Sequence, residues 1–204
     1  HFLFEKENLG FSMANNFAFK YSKYENVLFL NPDTIFTEDC ITPLINFISK
    51  NKEAGACGVM LLNKDKSFQF SFGKKLGFIY ETAEALIVIG FYRKMFYNSI
   101  SKQFKFKEAV KVDWLSGAFL LMKKSVYESV GGFSSDFFLN YEDIDLCSQI
   151  VKKGYSNYYF PNITCIHLDS KSQKKNYERF VFNRYKSRLI FAKKHYNFFT
   201  RFIV

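Results

Sequence analysis

Val27-Leu28-Phe29-Leu30 is a continuous apolar run that stops at Asn31-Pro32-Asp33-Thr34. A run so short, with no polar alternation, is the pattern of a strand buried on both faces, as in parallel sheets. Downstream, Ile41, Leu44, Ile45 and Ile48 fall at i, i+3, i+4 and i+7, the apolar stripe of a helix. Thr37 stands where an N-cap is wanted, with Glu38 and Asp39 favourable in the first turn; Pro43 either kinks this helix or marks its start with Thr42 as cap. Ala54 to Leu62 then reads as a turn and a strand, punctuated by Gly55 and Gly58. Strand, helix and strand in about 35 residues make a β-α-β unit, and the right-handed crossover rule sets both strands parallel in one sheet. Ligands of such sheets bind beyond the carboxyl ends of the strands, so Asn31 to Thr34 is a candidate site by position alone.

Composition limits the alternatives. The chain has 204 residues, 48% apolar and 24% charged, which suits one sizeable core and excludes disordered, collagen-like and disulfide-scaffold classes. Cys40, Cys57, Cys147 and Cys165 form no C-x-x-C pair, so they read as small core residues of a reducing compartment rather than a zinc site. No run reaches the roughly 18 apolar residues of a membrane span. The net charge of +10 is concentrated at one end: residues 171–204 carry ten basic residues against Glu178 alone, and the rest is nearly neutral. A nearly neutral body argues against nucleic acid as the partner.

Beyond the β-α-β unit, a helix is expected over 80–96, followed by two segments, 93–97 and 102–107, that interleave basic and aromatic residues. They read either as solvated surface or as contacts to a membrane or a lipid-linked substrate. Val112 to Met122 reads as a strand around a glycine, and Ser125 to Val130 as a short helix stopped by Gly131-Gly132. A helix beginning at Glu142 ends at Gly154, and two short strands flank Pro161. A long basic helix is expected over 173–196, with Tyr177, Phe180, Val181, Tyr185, Leu189 and Phe191 as its apolar face. No repeat or low-complexity linker divides the chain, so residues 1–204 read as one domain.

Four places could carry chemistry. Asp33, at a strand end, could bind a divalent cation through oxygen, or simply serve the turn. Glu142, Asp143 and Asp145 put three carboxylates at a helix start, more than capping requires, and close like charges raise a pKa toward that of a general base. His167 closes an apolar strand as a structural imidazole or a metal ligand. Trp114, beside Ser116-Gly117-Ala118, could pack on a sugar or in the core.

The order of these segments carries a resemblance. Glu7-Asn8-Leu9-Gly10-Phe11 through Asn16, the strand into Asn31-Pro32-Asp33-Thr34, Val112-Asp113-Trp114-Leu115-Ser116-Gly117, Gly131-Gly132-Phe133 through Asp145, Lys152-Lys153-Gly154-Tyr155 and Ile166-His167-Leu168 stand in a fixed sequence. In this the chain resembles the inverting family-2 glycosyltransferases of the GT-A fold, and most closely their bacterial rhamnosyltransferase-like branch. The resemblance implies an α/β fold with a mixed, mostly parallel sheet flanked by helices, here lacking the first β-α unit, which in relatives grips the nucleotide. It implies transfer of a sugar, rhamnose among the candidates, from a nucleotide-diphosphate donor to a cell-surface polysaccharide or lipid-linked glycan. The alternative is an inactive, membrane-associated glycan- or nucleotide-binding module of the same fold.

Residue by residue, the resemblance makes Asp33 and His167 ligands of Mg²⁺ or Mn²⁺, with Asn31 in place of the first acid of a D-x-D motif. Asp143 matches the general base, with Glu142 beside it. Trp114, Ser116 and Gly117 would line the donor and acceptor pocket, and Asn15 or Asn16 would lie near the nucleotide. Met13 and Ala18 depart from glycines frequent in relatives. The basic C-terminal helix fits either an enzyme at the cytoplasmic face of a membrane or a solvated helix face packed against the domain.

Overall fold

The computed structural model describes residues 6–73, 108–168 and 177–201. The helix expected over 80–96 and both basic-aromatic segments lie outside these residues. The elements are α1 (Gly10–Phe19), β1 (Asn26–Leu30), β2 (Thr34–Phe36), α2 (Thr42–Lys50), β3 (Ala54–Leu62), β4 (Phe68–Gln69), β5 (Phe72–Gly73), β6 (Val110–Val112), β7 (Trp114–Leu115), β8 (Phe119–Lys123), α3 (Lys124–Ser129), α4 (Glu142–Lys152), β9 (Ser156–His167), α5 (Tyr177–His195) and α6 (Phe198–Arg201).

Among the described residues the main sheet has seven strands, ordered β1-β8-β3-β9-β2, with β4 beside β3 and β6 beside β9. The apolar strands β1 and β3 run parallel, as expected, but β8 lies between them and antiparallel to both. β3 and β9 pair directly in parallel. β1, β3 and β9 thus share one direction in a mixed sheet.

Side chains alternate across both faces, the period of two that pleating imposes. On β8, Leu120 and Met122 face one core while Phe119 and Leu121 face the other; Phe29 and Leu28 divide the same way on β1. α2 covers one face with Leu44 and Ile48, and α3 and α4 cover the opposite face with Val126, Tyr127, Leu146, Cys147 and Ile150. Two covered faces explain the unbroken apolar run of β3, whereas β1, expected to be buried on both faces, stands at the end of the strand order with Phe29 buried, Val27 and Leu28 half-buried and Leu30 exposed. α4 seats against β3 at Gly55, where a Cβ would collide with the branched methyl Cγ2 of Ile150. All four cysteines are buried free thiols, as expected of small core residues.

Several local expectations change. α2 begins at Thr42 with Pro43 in its first turn, where a missing N–H costs nothing. Its cap is neither Thr37 nor Thr42 but the Asp39 carboxylate, which accepts from the Ile41 and Thr42 N–H groups at 3.0 Å each. The run Val112 to Met122 falls in three strands: the chain bends at Asp113 between β6 and β7, and residues 116–118 turn between β7 and β8. The two strands around Pro161 are one, β9: its register on β3 jumps between Phe160 and Thr164, and this irregularity absorbs the proline's missing donor. α5 turns Phe191 and Ala192 inward with Ser187 and Arg188, leaving Tyr185 and Leu189 exposed together with Phe182, so its inner face differs from the expected one.

Candidate active site

β1 and β2 lie at opposite ends of the strand order, so Asn31, Pro32 and Asp33 run across the sheet end where β1, β3 and β9 finish. The crossing is pinned by backbone: Asn31 N–H donates to Ala118 O at 3.1 Å, Thr34 N–H to Asn31 O at 3.3 Å and Leu168 N–H to Asp33 O at 3.0 Å. Thr34 pairs with His167 in the β2–β9 ladder, which sets the imidazole beside the turn.

Three of the expected residues meet there directly. His167 Nε2 lies 3.2 Å from Asp33 Oδ1 and 3.1 Å from Asn31 Nδ2. Its Nδ1 lies 2.7 Å from Gln69 Oε1, which accepts from Nδ1–H and leaves the Nε2 edge of the ring to Asp33 and Asn31. Gln69 is in turn held by Asn63 Oδ1 at 3.2 Å. Asp33 and His167 together offer two side chains of the types that ligate divalent cations, and among the described residues no group of three or more His, Cys, Asp or Glu is placed to hold one. Gln69 then does what an outer-shell partner does for a metal-binding histidine. No motif marks Gln69; only the fold brings it to a histidine 98 residues away.

The acidic trio divides. Asp143 accepts from Gly117 N–H through Oδ2 and from Ile144 N–H through Oδ1, both at 2.8 Å. A Cβ at Gly117 would lie 3.4 Å from Asp143 Cβ and 3.1 Å from Phe11, so the glycine admits the close contact. Burial raises the Asp143 pKa, those two N–H groups oppose it, and the carboxyl stays above its ordinary range. Glu142 is 5% exposed, and its Oε2 has no hydrogen-bond partner among the described residues. Burial, with the adjacent Asp143 charge adding, pushes Glu142 up to about 8. Asp145 points elsewhere, to His195. The pair is delivered by a strained turn: Asn140 and Tyr141 both have left-handed backbone, with φ 66° and 67°, which is unfavourable for a bulky tyrosine.

Because Glu142 holds its proton more tightly folded than unfolded, its contribution to stability is full below its ordinary pKa. It is lost as pH rises through about 8. Replacing Glu142 with Gln removes this titration. Thermal melts from pH 5 to pH 9 should show the parent falling relative to Glu142→Gln, whereas parallel curves would place the charge elsewhere.

The remaining expected residues take other surroundings. Ser116 donates its N–H to Ser71 O at 2.7 Å, and its Oγ accepts from Ala118 N–H at 3.3 Å, closing the turn that presents Gly117. Trp114 is buried in the core, edge-on to Phe70 at 5.3 Å and tight against Gly73. Asn15 donates to Phe11 O within α1. Asn16 donates to Phe133 O at 2.7 Å and accepts from Phe133 N–H and the Tyr127 hydroxyl, so its amide clamps α1 to the segment after α3.

The fold is shared with solved glycosyltransferases. A structure of GalNAc-T7 with UDP, GalNAc and Mn²⁺ superposes with a TM-score of 0.56 at 12% identity, covering 87% of this chain and 35% of that one. Mannosyltransferase PcManGT from Pyrobaculum calidifontis, in complex with GDP-Man and Mn²⁺, gives 0.57 at 18% identity, covering 95% and 46%. These likenesses define a GT-A fold. The chain belongs to glycosyl transferase family 2, whose sequence model matches residues 1–131. Rhamnosyltransferase WbbL of Escherichia coli K12 is 28% identical over 152 residues, 71% of this chain and 55% of WbbL. The N-acetylglucosaminyl-diphospho-decaprenol L-rhamnosyltransferase of Mycobacterium tuberculosis is 26% identical over 129 residues, 63% of this chain and 42% of that protein. The chain thus spans about half the length of the curated relatives it matches.

Proposed function

We propose that the chain carries the catalytic site of an inverting nucleotide-sugar glycosyltransferase that moves a sugar, rhamnose by the likeness of its relatives, onto a cell-surface polysaccharide or lipid-linked glycan. One observation carries the reading. The Asp33–His167 contact lies at the same sheet end as Asp143, and the two are linked through Asn31, Ala118 and Gly117. Asp33 and His167 would hold Mg²⁺ or Mn²⁺, which when bound supplies positive charge to the donor diphosphate. Asp143 takes the proton of an acceptor hydroxyl as that oxygen bonds to the anomeric carbon. The bond from that carbon to the diphosphate oxygen breaks on the opposite face, its electron pair leaving with the nucleotide diphosphate. One displacement inverts the centre and needs no covalent enzyme intermediate. The raised pKa of Asp143 suits a base. Mn²⁺-dependent hydrolysis of dTDP-rhamnose, with UDP-sugars in parallel, tests this. Turnover of the rhamnosyl donor above the others supports it; tight nucleotide binding without turnover leaves only a binding module.

A lipid-linked acceptor would put the enzyme at a membrane, and the exposed apolar and basic residues of α5 support peripheral contact with its inner face. Phe182, Tyr185 and Leu189, at i, i+3 and i+7, are exposed alongside Lys186 and Lys193. No helix among the described residues is long and apolar enough to cross a bilayer. Each cation near an anionic surface contributes about 1 kcal/mol. Flotation with phosphatidylglycerol vesicles should show salt-sensitive binding that Lys186→Glu with Lys193→Glu weakens by more than about tenfold. Equal binding to neutral vesicles would remove the electrostatic part.

A further inference from the structure

The helix that carries Glu142 and Asp143 is held from outside by α5. Both lie beyond residues 1–131, the part matched by the family. His195, at the end of α5, sets its Nε2 2.6 Å from Asp145 Oδ1, and both side chains are almost fully buried. Its Nδ1 lies 3.3 Å from Lys152 Nζ. An ammonium can only donate, so Nδ1 accepts and Nε2–H is the donor to Asp145. Asp145 and Lys152 are seven residues apart on α4, so one imidazole ties two of its turns. Phe191 stacks on the His195 ring, with centroids 4.4 Å apart, and fixes its plane.

Two turns earlier, the same helix grips the strained turn. Ser187 Oγ donates to Leu139 O at 2.8 Å, immediately before the left-handed Asn140 and Tyr141. Phe191 packs on Tyr141 at 5.5 Å, and Lys194 Nζ reaches Ser134 Oγ at 2.8 Å and Asp136 at 3.1 Å. The turn is therefore gripped on its leading side by Ser187 and Lys194, and on its trailing side through Asp145, whose Oδ1 takes the His195 hydrogen bond and also lies 3.7 Å from Lys194 Nζ. Backbone in that conformation persists only where its surroundings over-determine it, and α5 supplies those surroundings. The Glu142–Asp143 pair follows the turn directly.

We infer that His195 is a positioning residue: through Asp145 and the 139–141 turn, α5 sets the placement of Asp143 against the acceptor hydroxyl. The inference rests on Asp143 being the base. It separates His195 from a purely structural role, because misplacing the base slows the proton-transfer step without loosening the donor, whose diphosphate would meet the cation proposed at Asp33 and His167.

The test compares His195→Leu, which keeps bulk and loses the donor, with His195→Gln, whose amide can donate where Nε2–H did, and with the milder Ser187→Ala. Kinetics with dTDP-rhamnose and Mn²⁺ are read beside amide hydrogen exchange. His195→Leu is expected to lower kcat about tenfold with the donor dissociation constant within about twofold, and Gln to recover most of the loss. Exchange of amides 139–145 rises in His195→Leu and, to a smaller extent, in Ser187→Ala. Unchanged exchange in both variants, or an equal loss of kcat in His195→Leu and His195→Gln, overturns the inference. Asp143→Asn, run alongside, separates the two ideas. If that variant turns over normally the base assignment fails, and exchange at 139–145 still decides whether α5 holds the turn.

Discussion

Asp143→Asn should lower turnover of the nucleotide-sugar by about 10²- to 10⁴-fold, the range a positioned general base contributes. Donor affinity should stay near that of the parent, because Asp143 touches the Gly117 and Ile144 N–H groups rather than the Asp33–His167 end of the site. The substitution has a structural side. Both Asp143 oxygens accept from backbone donors, so an Asn amide must turn its own NH₂ toward one of them, at about 1–3 kcal/mol for the unmet pairing. A thermal melt run beside the kinetics separates this loss from the catalytic one, since a folded variant with a lowered melting temperature but normal turnover would contradict the assignment. The pH profile is the sharper readout. In the parent, kcat should fall on the acid side with an apparent pKa above the ordinary carboxylate range. That value belongs to the coupled Glu142–Asp143 pair rather than to either group. In Asp143→Asn the acid limb should flatten.

What could be read from the chain and what could not divide by range. The β-α-β unit was legible because apolar runs and helical spacing act within a few residues, and both sheet faces are covered. Asn31 and Asp33 were placed by a rule about where strands end, and His167 by the strand it closes. The interposed β8 was not legible, since the crossover rule fixes direction and not adjacency. Pro161 reads as a break because it lacks a donor; the β9 irregularity that tolerates it forms only against β3. The face of α5 was misread because aromatic residues surround that helix and blur its period; burial is decided by the 137–141 segment packed against it. Glu142, Asp143 and Asp145 look like one cluster. Their separate uses depend on Gly117 and His195, 26 and 50 residues from their partners.

Asp33→Ala should abolish the Mn²⁺ dependence of donor binding, and with it most of the activity. Among the described residues Asp33 and His167 are the two side chains proposed to hold the cation, and removing either leaves one of them. Gln69 holds the Nδ1 side of the His167 ring at 2.7 Å, which turns Nε2 toward Asp33, whose anionic oxygen lies 3.2 Å away. Asn31 reaches the same nitrogen at 3.1 Å; rotating its amide exchanges the NH₂ for a carbonyl oxygen, which gives a third donor of the hard type Mg²⁺ and Mn²⁺ prefer. Titrating Mn²⁺ by electron paramagnetic resonance, with dTDP present and absent, measures binding without relying on turnover. Asp33→Ala and His167→Ala should each leave free Mn²⁺ at concentrations that saturate the parent. Gln69→Leu frees the imidazole to turn or change tautomer, and should weaken Mn²⁺ by about 10- to 100-fold, the usual cost of losing such a support. The order of effects is the discriminating result. A structural Asp33–His167 pair predicts that all three variants lose melting temperature and none loses Mn²⁺, because an ion pair with no metal role has nothing to do with the cation once the fold is intact.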